Sequence, residues 1–202
     1  MPTRGSKPST YLIPSFSFIG EMATGKGTYC DHLKEQIERE FGIPVYRFSF
    51  SAKIVEIAKD LFGMEGKDRK LLQNIGNKMR EIDPDVWAGY IVRDIKANGK
   101  VPFAVDGIRT PNEAAVFKRN FANFIIIRLE VDGQQRMEVY KKNYGRYPTG
   151  EESNNISEKT VAGIPFDITL HNNYERANLE RQVRGIVEAI KNGTFEKLTR
   201  SL

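Results

Sequence analysis

The sequence has one cysteine, Cys30, and two histidines, His32 and His171, among its 202 residues. A lone cysteine cannot form a disulfide within the chain, and it cannot build the cysteine cluster that holds zinc or an iron–sulfur centre. Those kinds of site are therefore excluded. We expect Cys30 to be a small buried residue and both histidines to have structural rather than catalytic roles.

Long apolar runs are missing as well. Runs such as Phe124–Ile127 fall far short of the roughly 20 residues that a membrane-spanning helix needs, and the mean hydropathy is −0.47. Residues 1–10 are polar and basic, and Pro14 and Ser15 interrupt the apolar segment that a signal peptide would require. We therefore expect no membrane partner, a frayed and disordered N-terminus over residues 1–10, and a cytoplasmic protein.

The charge is modest and basic, with 31 Lys plus Arg against 26 Asp plus Glu and a net charge of +5. This balance favours an anionic partner such as a nucleotide, a nucleic acid or an acidic membrane. Hydrophobic residues make up 40% of the chain and charged residues 28%, which excludes a disordered or fibrous chain. The length fits a single domain over residues 1–202.

Short, largely apolar segments alternate with helical patterns along the chain. This alternation is typical of a parallel sheet wrapped by helices, whose strands are buried on both faces and therefore continuously apolar. Five segments have this character: Tyr11–Ile19, Val45–Phe50, Val101–Val105, Phe124–Val131 and Phe166–Leu170. The sequence therefore predicts an α/β fold with a five-stranded parallel sheet.

Helical periodicity is clearest at Lys26–Phe41 and Glu175–Lys191. The segment 51–98 has no strand pattern and contains three helical ones, so we expect a helical insert between the second and third strands. Residues Asn143–Pro165 are polar and carry several Gly and Pro residues, and such an interval is too long for a passive loop in a compact domain. We interpret the region 136–165 as a mobile lid.

The most informative motif is Gly20-Glu-Met-Ala-Thr-Gly25-Lys26-Gly27-Thr28, which follows a predicted strand and opens a predicted helix. Its glycines let a loop curl around phosphate oxygens, and the helix N-terminus adds the positive end of its dipole. The Lys26 side chain is placed to reach the outer phosphates of ATP, and Thr28 supplies a hydroxyl. We predict a phosphate-binding loop with these residues: Gly20, Thr24, Gly25, Lys26, Gly27 and Thr28.

The motif departs from the usual pattern at Gly27, where a Ser or Thr normally ligates magnesium. Magnesium must then depend on water and on a carboxylate from elsewhere in the chain. Asp106 follows the predicted strand Val101–Val105, and ligands bind at the carboxyl edge of open α/β sheets. We expect Thr28 and Asp106 to hold Mg²⁺. The alternative for Asp106 is that it caps the next turn.

The ending Gly25-Lys26-Gly27-Thr28 is similar to the loop of adenylate kinases. Five other segments carry related motifs: Phe48–Lys53, Lys67–Gly76, Asp83–Trp87, Val105–Glu113 and Phe166–Asn173. Together they resemble the P-loop nucleoside monophosphate kinases, and most closely the phage-type deoxynucleoside monophosphate kinases. The resemblance implies a P-loop NTPase three-layer sandwich, with the insert 51–98 as the acceptor-binding region.

The resemblance also implies phosphoryl transfer from ATP, with Mg²⁺, to a (deoxy)nucleoside monophosphate. The acceptor phosphate has a second pKa of about 6, so its oxygen is already an anionic nucleophile and needs no general base. Catalysis then consists of positioning and charge neutralisation. We expect the acceptor to contact these residues: Lys53, Arg69, Trp87, Asp106 and Arg109. Alternatively, Trp87 is a core aromatic.

We expect Lys26, Arg109, Arg136 and Arg146 to neutralise charge during transfer, because a guanidinium grips phosphate with two hydrogen bonds. Arg136 and Arg146 flank the start of the predicted lid, and a solvated surface position is the alternative for each. The resemblance places Asn172 near the adenine of ATP.

Two other functions stay open. One is a kinase for another small molecule such as dephospho-coenzyme A, whose enzymes the segment Asp167–Asn173 also resembles. The other is a non-catalytic module that binds nucleotide or nucleic acid, since Tyr140–Tyr147 interleaves basic and aromatic residues. The mixed charges make nucleic acid the weaker partner, and a homodimer is left open.

Overall fold

The computed structural model describes residues 12–150 and 160–195. Five strands in this part of the chain form one sheet: β1 (Ser15–Ile19), β2 (Tyr46–Ser49), β3 (Phe103–Asp106), β4 (Phe124–Glu130) and β5 (Ile168–His171). Seven helices are described with them: α1 (Lys26–Phe41), α2 (Phe50–Phe62), α3 (Arg69–Ile82), α4 (Val86–Asn98), α5 (Pro111–Asn120), α6 (Gly133–Tyr144) and α7 (Arg176–Lys191).

The five strands are all parallel and lie in the order β2-β3-β1-β4-β5. In the central strand β1, Phe16 is paired with Ala104 of β3 and with Ile125 of β4. The chain builds one side of the sheet first and then crosses β1 to build the other. Ligands bind at the carboxyl ends of the strands where the winding direction changes, which here is the end of β1.

Helices cover both faces of the sheet and enclose two cores. One core packs α1 and α7 against one face and includes Leu33 and Val183. The other core packs α2, α4 and α5 against the opposite face and includes Phe103 and Phe117. Burial of apolar side chains on both faces is the largest favourable contribution to such a fold. The predicted three-layer α/β sandwich with five parallel strands is confirmed.

The strands lie where the apolar segments predict them, but their ends differ. β1 and β3 begin directly after Pro14 and Pro102, because proline has no N–H to donate to the sheet. Phe50, predicted as the end of a strand, begins α2 instead. Phe166 precedes β5, and the Arg128 guanidinium lies 4.0 Å from the centre of its ring.

Three helices, α2, α3 and α4, fill the predicted insert. The indole Nε1 of Trp87 donates a hydrogen bond to the Gly76 carbonyl oxygen at 3.1 Å, which joins α4 to α3. Asp68 precedes α3 as its N-cap, and its side chain accepts a hydrogen bond from the Leu71 N–H at 2.9 Å. The helices of the insert therefore form one packed unit, and its role in acceptor binding stays a prediction.

The predicted lid, 136–165, is described only in part, because residues 151–159 lie outside the described residues. Its first residues form most of α6, where Tyr140 is fully buried. Its last residues are fixed by Val161 and Ile164, whose side chains are buried in the core. Both described ends of the segment are thus packed. The predicted disordered N-terminus, residues 1–10, lies outside the described residues.

None of the helices described in the two ranges is long and apolar enough to cross a membrane.

Candidate active site

The phosphate loop joins the end of β1 to the start of α1, and two of its glycines are required by geometry. Gly20 has φ +148°, and a Cβ there would lie 2.6 Å from the Leu129 carbonyl oxygen. Gly25 has φ +88°, and a Cβ there would lie 2.9 Å from the Asn172 Nδ2 atom. Any larger residue would have to displace the neighbouring strand or Asn172. The loop thus packs closely against β4 and the segment after β5.

Lys26 is the first residue of α1, and its side chain folds back over the loop. Its Nζ atom donates hydrogen bonds to the Gly20 carbonyl oxygen at 2.9 Å and to the Glu21 carbonyl oxygen at 2.6 Å. The Thr24 hydroxyl lies 3.4 Å from the same nitrogen. The ammonium group is therefore held at the mouth of the loop, where an outer phosphate would lie in the predicted binding mode.

Arg136 of α6 supports the same loop from the other side. Its guanidinium forms an ion pair with the Glu21 carboxylate and lies 3.4 Å from the Met22 carbonyl oxygen. The side chain is mostly buried, at 16% exposure. Of the two predicted lid arginines, Arg136 is thus the one that the structure brings to the loop.

A cavity of about 310 Å³ opens beside Lys26, between the loop, the end of β3 and helices α2 and α3. We call it the insert cavity. Five cationic side chains line it: Lys26, Lys67, Arg69, Arg80 and Arg109. Asp106 is the one carboxylate among the described residues that line it. This excess of positive charge suits an anionic molecule.

The insert cavity also has apolar and amide surfaces. Ile54 of α2 and Leu72 of α3 contribute apolar walls, and Gln73 and Asn77 of α3 contribute side-chain amides. Residues 72, 73, 76 and 77 share one helical face, because side chains three or four positions apart are neighbours on a helix. The cavity therefore offers both a flat apolar contact and hydrogen-bonding groups beside its cations.

Asp106 ends β3, and Arg47 of the adjacent strand β2 lies beside it. The Arg47 Nη2 atom is 3.6 Å from an Asp106 carboxylate oxygen, and the same guanidinium pairs with Asp31 of α1. A Cβ at Gly27 would lie 3.9 Å from Arg47 Nη2. Asp106 thus faces the insert cavity with Arg47 as a partially neutralising neighbour.

Arg69 begins α3 and connects the insert to α6. Its guanidinium lies 5.7 Å from the ring centres of both Tyr140 and Tyr144, and its Nη1 lies 3.4 Å from the Tyr140 hydroxyl oxygen. Such cation–π contacts fix the guanidinium plane. Arg69 is therefore oriented by the predicted lid region while it lines the insert cavity.

The main chain of Arg109 is held on both sides. Its N–H donates to a Glu113 carboxylate oxygen at 2.8 Å, and its carbonyl oxygen accepts from the Thr160 hydroxyl at 2.6 Å. Glu113 itself is fully buried, and Arg80 Nε donates to its second carboxylate oxygen at 2.8 Å. The loop after β3 is thus tied to α3, α5 and the end of the predicted lid.

A second cavity, of about 480 Å³, lies on the other side of the loop, and we call it the α1 cavity. Asn172, which is 7% exposed, donates to the Thr24 carbonyl oxygen at 3.0 Å and accepts from the Tyr174 N–H at 2.8 Å. The Tyr174 hydroxyl donates to the Ala23 carbonyl oxygen at 2.9 Å. Burial raises the pKa of Tyr29 and of Tyr174 above its usual value, so both hydroxyls stay protonated donors.

The α1 cavity is lined further by residues from the first turns of α1 and α7, among them Thr28, His32 and Leu179. It adjoins Gly25, so a nucleotide whose phosphates occupied the loop would extend its base into this space. Asn172 lies beside the loop and lines this cavity, and its predicted place near the adenine of ATP stays a prediction.

Besides Arg136, four residues predicted to bind the metal, the acceptor or the transferring phosphoryl group do not line the insert cavity. Thr28 is exposed and lines the α1 cavity, whereas Asp106 lines the insert cavity, and their shared metal site stays a prediction. Trp87 is 2% exposed and packs in the core, which is the alternative that aromatic periodicity favours. The Lys53 ammonium lies over the Tyr90 ring, at 5.7 Å from its centre.

The fourth residue, Arg146, is exposed, and its Nη1 donates to the Tyr147 carbonyl oxygen at 3.0 Å. In residues 12–150 and 160–195, no group of three or more His, Cys, Asp or Glu side chains could hold a metal ion. Of the predicted pair of metal ligands, Asp106 is the one that lies beside Lys26 in the insert cavity.

Sequence reasoning missed several residues that contribute to the site: Arg47, Lys67, Gln73, Asn77, Arg80 and Glu113. The sequence did carry a signal for the polar face of α3. Gln73, Asn77 and Arg80 are spaced four and three residues apart within a segment already assigned to the acceptor. No sequence signal singles out Arg47, because its ion pair with Asp106 forms between strands that are far apart along the chain.

The sequence matches no protein-family model, and a search of curated proteins finds no relative. Solved structures do match. A presumed kinase from Chloroflexus aurantiacus is 16% identical over 92% of this chain and 100% of that one, with a TM-score of 0.59. A gluconokinase from Sinorhizobium meliloti is 13% identical over 91% of this chain and 97% of that one, with a TM-score of 0.56.

Kti12 from Chaetomium thermophilum, solved in complex with ADP-AlF3, is also similar in structure. It is 14% identical over 88% of this chain and 99% of that one, with a TM-score of 0.53. At these identities the likeness is one of fold. Together with the phosphate loop and the order of its five parallel strands, it shows that the chain has the three-layer fold of P-loop kinases.

Proposed function

We propose that the protein transfers the γ-phosphoryl group of ATP to a (deoxy)nucleoside monophosphate and releases ADP and the corresponding diphosphate. The observation that carries the proposal is the insert cavity. It joins Lys26 of the phosphate loop to four further cations that come from the insert and from the loop after β3. Donor phosphates in the loop and an acceptor phosphate in the cavity would then meet at Lys26.

The donor half of the proposal rests on the loop and on the α1 cavity. Main-chain N–H groups at the start of a helix bind phosphate, and Lys26 adds a positive charge. The α1 cavity receives the base, beside Asn172 and Tyr174. The fold likeness to Kti12, which was solved in complex with ADP-AlF3, agrees with nucleotide binding by this fold.

The acceptor half rests on the chemistry of the insert cavity. Arg69, Arg80 and Arg109 line it and provide forked donors that match a phosphate monoester. Ile54 and Leu72 offer apolar walls to a planar base, and the Gln73 and Asn77 amides can read its edge. A nucleoside monophosphate is the acceptor class that uses all three kinds of surface.

Transfer requires no proton acceptor, because a phosphate monoester is largely dianionic at neutral pH. The cations of the insert cavity would offset the repulsion between donor and acceptor phosphates as the oxygens approach. Arg136, which holds the loop through Glu21, would keep the donor phosphates in line. Packing of α6 over the site would exclude water, which otherwise competes as an acceptor.

Magnesium enters with ATP. Mg²⁺ is usually bound by one or two carboxylates together with substrate phosphates and water, and Asp106 in the insert cavity fits this role. When bound, the ion would neutralise charge on the transferring phosphoryl group. Gly27 supplies no hydroxyl to it, so the contribution of the protein would come from Asp106.

A second candidate is a P-loop kinase whose acceptor is a hydroxyl group on another anionic small molecule, dephospho-coenzyme A included. A hydroxyl acceptor benefits from a general base, and Asp106 is the carboxylate that the insert cavity offers. The fold likeness to a gluconokinase favours keeping this candidate. The amide face of α3 makes the nucleotide acceptor the stronger proposal.

The experiment is ADP formation from Mg-ATP with a panel of ribo- and deoxynucleoside monophosphates, dephospho-coenzyme A and gluconate. Lys26→Ala is the blank. Lys34→Ala, at the next turns of the same helix, is the matched control because Lys34 pairs with Glu38 away from the loop. ADP released with particular monophosphates by wild type and Lys34→Ala, but not by Lys26→Ala, would support the proposal. Release with gluconate or dephospho-coenzyme A alone would replace it with the second candidate.

Binding of single-stranded polynucleotide without turnover of any acceptor would instead support a binding module. Such binding would weaken steeply as salt rises, because each neutralised phosphate releases a counterion.

A further inference from the structure

Glu113 is an ionisable side chain that the proposed mechanism does not use, although its surroundings are unusual. It lies in the first turn of α5 and is fully buried, with 0% exposure. Both of its carboxylate oxygens are occupied. One accepts from the N–H groups of Arg109 at 2.8 Å and Thr110 at 3.2 Å, and the other accepts from Arg80 Nε at 2.8 Å.

Part of this arrangement is explained by helix capping. The Thr110 side chain and Glu113 form a reciprocal capping box at the start of α5. Capping uses one oxygen, however, and it works equally well at a solvent-exposed position. Burial of a carboxylate is costly unless the charge is paired and hydrogen-bonded. The Arg80 contact therefore needs an explanation beyond the cap.

Arg80 lies on α3 and lines the insert cavity. Its Nε bond to Glu113 uses one of the five guanidinium N–H donors and fixes the plane of the group. A Cβ at Gly76 would lie 3.3 Å from Arg80 Nη1, so the guanidinium passes over the bare backbone of Gly76.

Gly76 is a helix-interior glycine, a position that normally weakens a helix. Here the missing side chain leaves space beside the Arg80 guanidinium, and a Cβ at this position would also lie 3.4 Å from Ile54 Cδ1. Three features of different segments thus converge on one guanidinium: a buried carboxylate in α5, a glycine in α3 and the wall of the insert cavity.

We propose that Arg80 binds the phosphate of the acceptor and that Glu113 is its positioning residue. This inference rests on the proposed function for the identity of the acceptor. Glu113 also receives the Arg109 N–H, so a single buried carboxylate sets two elements of the acceptor site at once. We expect the role to be specific to the acceptor, because in the described part of the chain the hydrogen bonds and the ion pair of Glu113 and Arg80 do not run to the phosphate loop.

The test is steady-state kinetics of Glu113→Gln, Arg80→Met and the double variant. Gln has nearly the shape of Glu but carries no charge and turns one acceptor oxygen into a donor. We expect the acceptor KM to rise roughly 10- to 100-fold in each single variant, while the ATP KM stays within about twofold. Because the two residues act as one unit, the double variant should be hardly worse than Arg80→Met.

A second pair of variants covers the case in which Glu113→Gln does not fold. Gly76→Ala places a methyl group against Arg80 Nη1 without touching the ion pair. Gly89→Ala is the matched control, because a Cβ there would lie 3.3 Å from Nη1 of Arg93, an exposed side chain on α4. Alanine favours helix at both positions. Gly76→Ala alone should raise the acceptor KM, by about threefold or more.

The outcomes separate the inference from the proposed function. If wild type turns over a monophosphate and folded Glu113→Gln has an unchanged acceptor KM, the inference is overturned and the proposed function stays in place. If Glu113→Gln does not fold, an unchanged acceptor KM in Gly76→Ala has the same meaning. If wild type turns over no monophosphate, calorimetric binding of the same monophosphates without ATP decides. Binding that is lost in Arg80→Met and weakened in Glu113→Gln supports the inference although the kinase proposal fails. Wild type that binds no monophosphate overturns both.

Discussion

The two cavities that flank the phosphate loop are built in different ways. The α1 cavity is lined by two continuous stretches of chain, one from the loop into α1 and the other from Asn172 into α7. Its main polar contacts run to main-chain carbonyl groups of the loop. The insert cavity draws charged side chains from segments that are far apart along the chain, and several of these side chains hold one another in place.

This difference follows from what each side would bind. Any nucleoside triphosphate carries the same phosphate chain, and main-chain N–H groups together with one lysine can hold it. An acceptor must be distinguished from other anions, and that requires forked guanidinium groups and amides in fixed positions. We therefore expect backbone changes to damage the donor side and side-chain changes to damage the acceptor side.

The largest expected effect concerns the one cation that both sides share. Lys26→Ala should lower kcat about 10³-fold, because the ammonium stabilises charge that develops during transfer. Lys34→Ala should stay within about twofold of wild type, since an exposed ion pair contributes little. ADP release under saturating substrates measures both. A Lys26→Ala variant with wild-type kcat would mean that main-chain groups alone support the donor phosphates.

Backbone geometry on the donor side is tested by Gly20→Ala. A Cβ at Gly20 would lie 2.6 Å from the Leu129 carbonyl oxygen at φ +148°, so we expect roughly 2–4 kcal/mol of destabilisation. Gly42→Ala is the control. Gly42 also has a positive φ, but no described atom lies within 4 Å of its Cβ position, so the expected cost is about 1 kcal/mol. Urea unfolding measures both, and equal costs would remove the argument for close packing at Gly20.

Side-chain dependence on the acceptor side is tested by Arg69→Met. Loss of the guanidinium that lies against Tyr140 and Tyr144 should raise the acceptor KM about 10- to 50-fold and leave the ATP KM within about twofold. Arg93→Met, at an exposed position of α4, should change neither constant. Equal increases in both KM values would contradict the division of the site into two sides.

Asn172→Ala tests whether the donor side depends on a side chain after all. The substitution removes the hydrogen bonds to the Thr24 carbonyl oxygen and from the Tyr174 N–H, so the ATP KM should rise about tenfold while the acceptor KM stays constant. Asn173→Ala, at the exposed neighbouring position, is the control. If the ATP KM does not change in Asn172→Ala, main-chain contacts alone define the α1 cavity.

The smallest expected effect concerns the buried face of α1. Burial raises the pKa of the Cys30 thiol to about 11, whereas the pKa of a cysteine thiol in an unfolded chain is about 8.5. Below that lower value the thiol is protonated in both states. As pH rises between them the unfolded chain loses the proton and the folded one keeps it, so stability falls by up to about 1.4 kcal/mol per pH unit.

Cys30→Ala should remove this slope. Urea unfolding of both proteins at about pH 8 and about pH 9 measures it, and the comparison between them cancels the contribution of Tyr29, whose pKa is also raised by burial. If the free energy of unfolding changes with pH equally in wild type and Cys30→Ala, burial does not raise the pKa of Cys30, and the thiol is accessible to solvent in the folded protein.

Much of the fold could be predicted because its signals are local. Apolar segments mark all five strands, and Pro14 and Pro102 explain where two of them begin. Lys26–Phe41 is predicted and observed with the same ends, because Gly25 and Gly42 adopt the left-handed backbone that begins and ends a helix. The errors fall at strand ends such as Phe50, where packing rather than local preference decides between strand and helix.

The site divides along the same line. Gly20, Gly25, Lys26 and Asp106 could be predicted because a loop, a helix start and a strand end are local features. Trp87 could not be assigned, since the same aromatic residue suits a core or a base contact until its neighbours are known. Thr28 lies two residues after Lys26 but lines another cavity, because positions two apart on a helix point in different directions.

The sequence by itself determined the α/β class, the phosphate loop and the segments that carry its cations, because periodicity and glycine placement act over a few residues. Only the tertiary structure decided which side chains share a cavity. It brought Glu113 to Arg80 across 33 residues and Asn172 to Thr24 across 148. Such pairs leave no local signal, because a hydrogen bond between distant segments depends on how helices and strands pack.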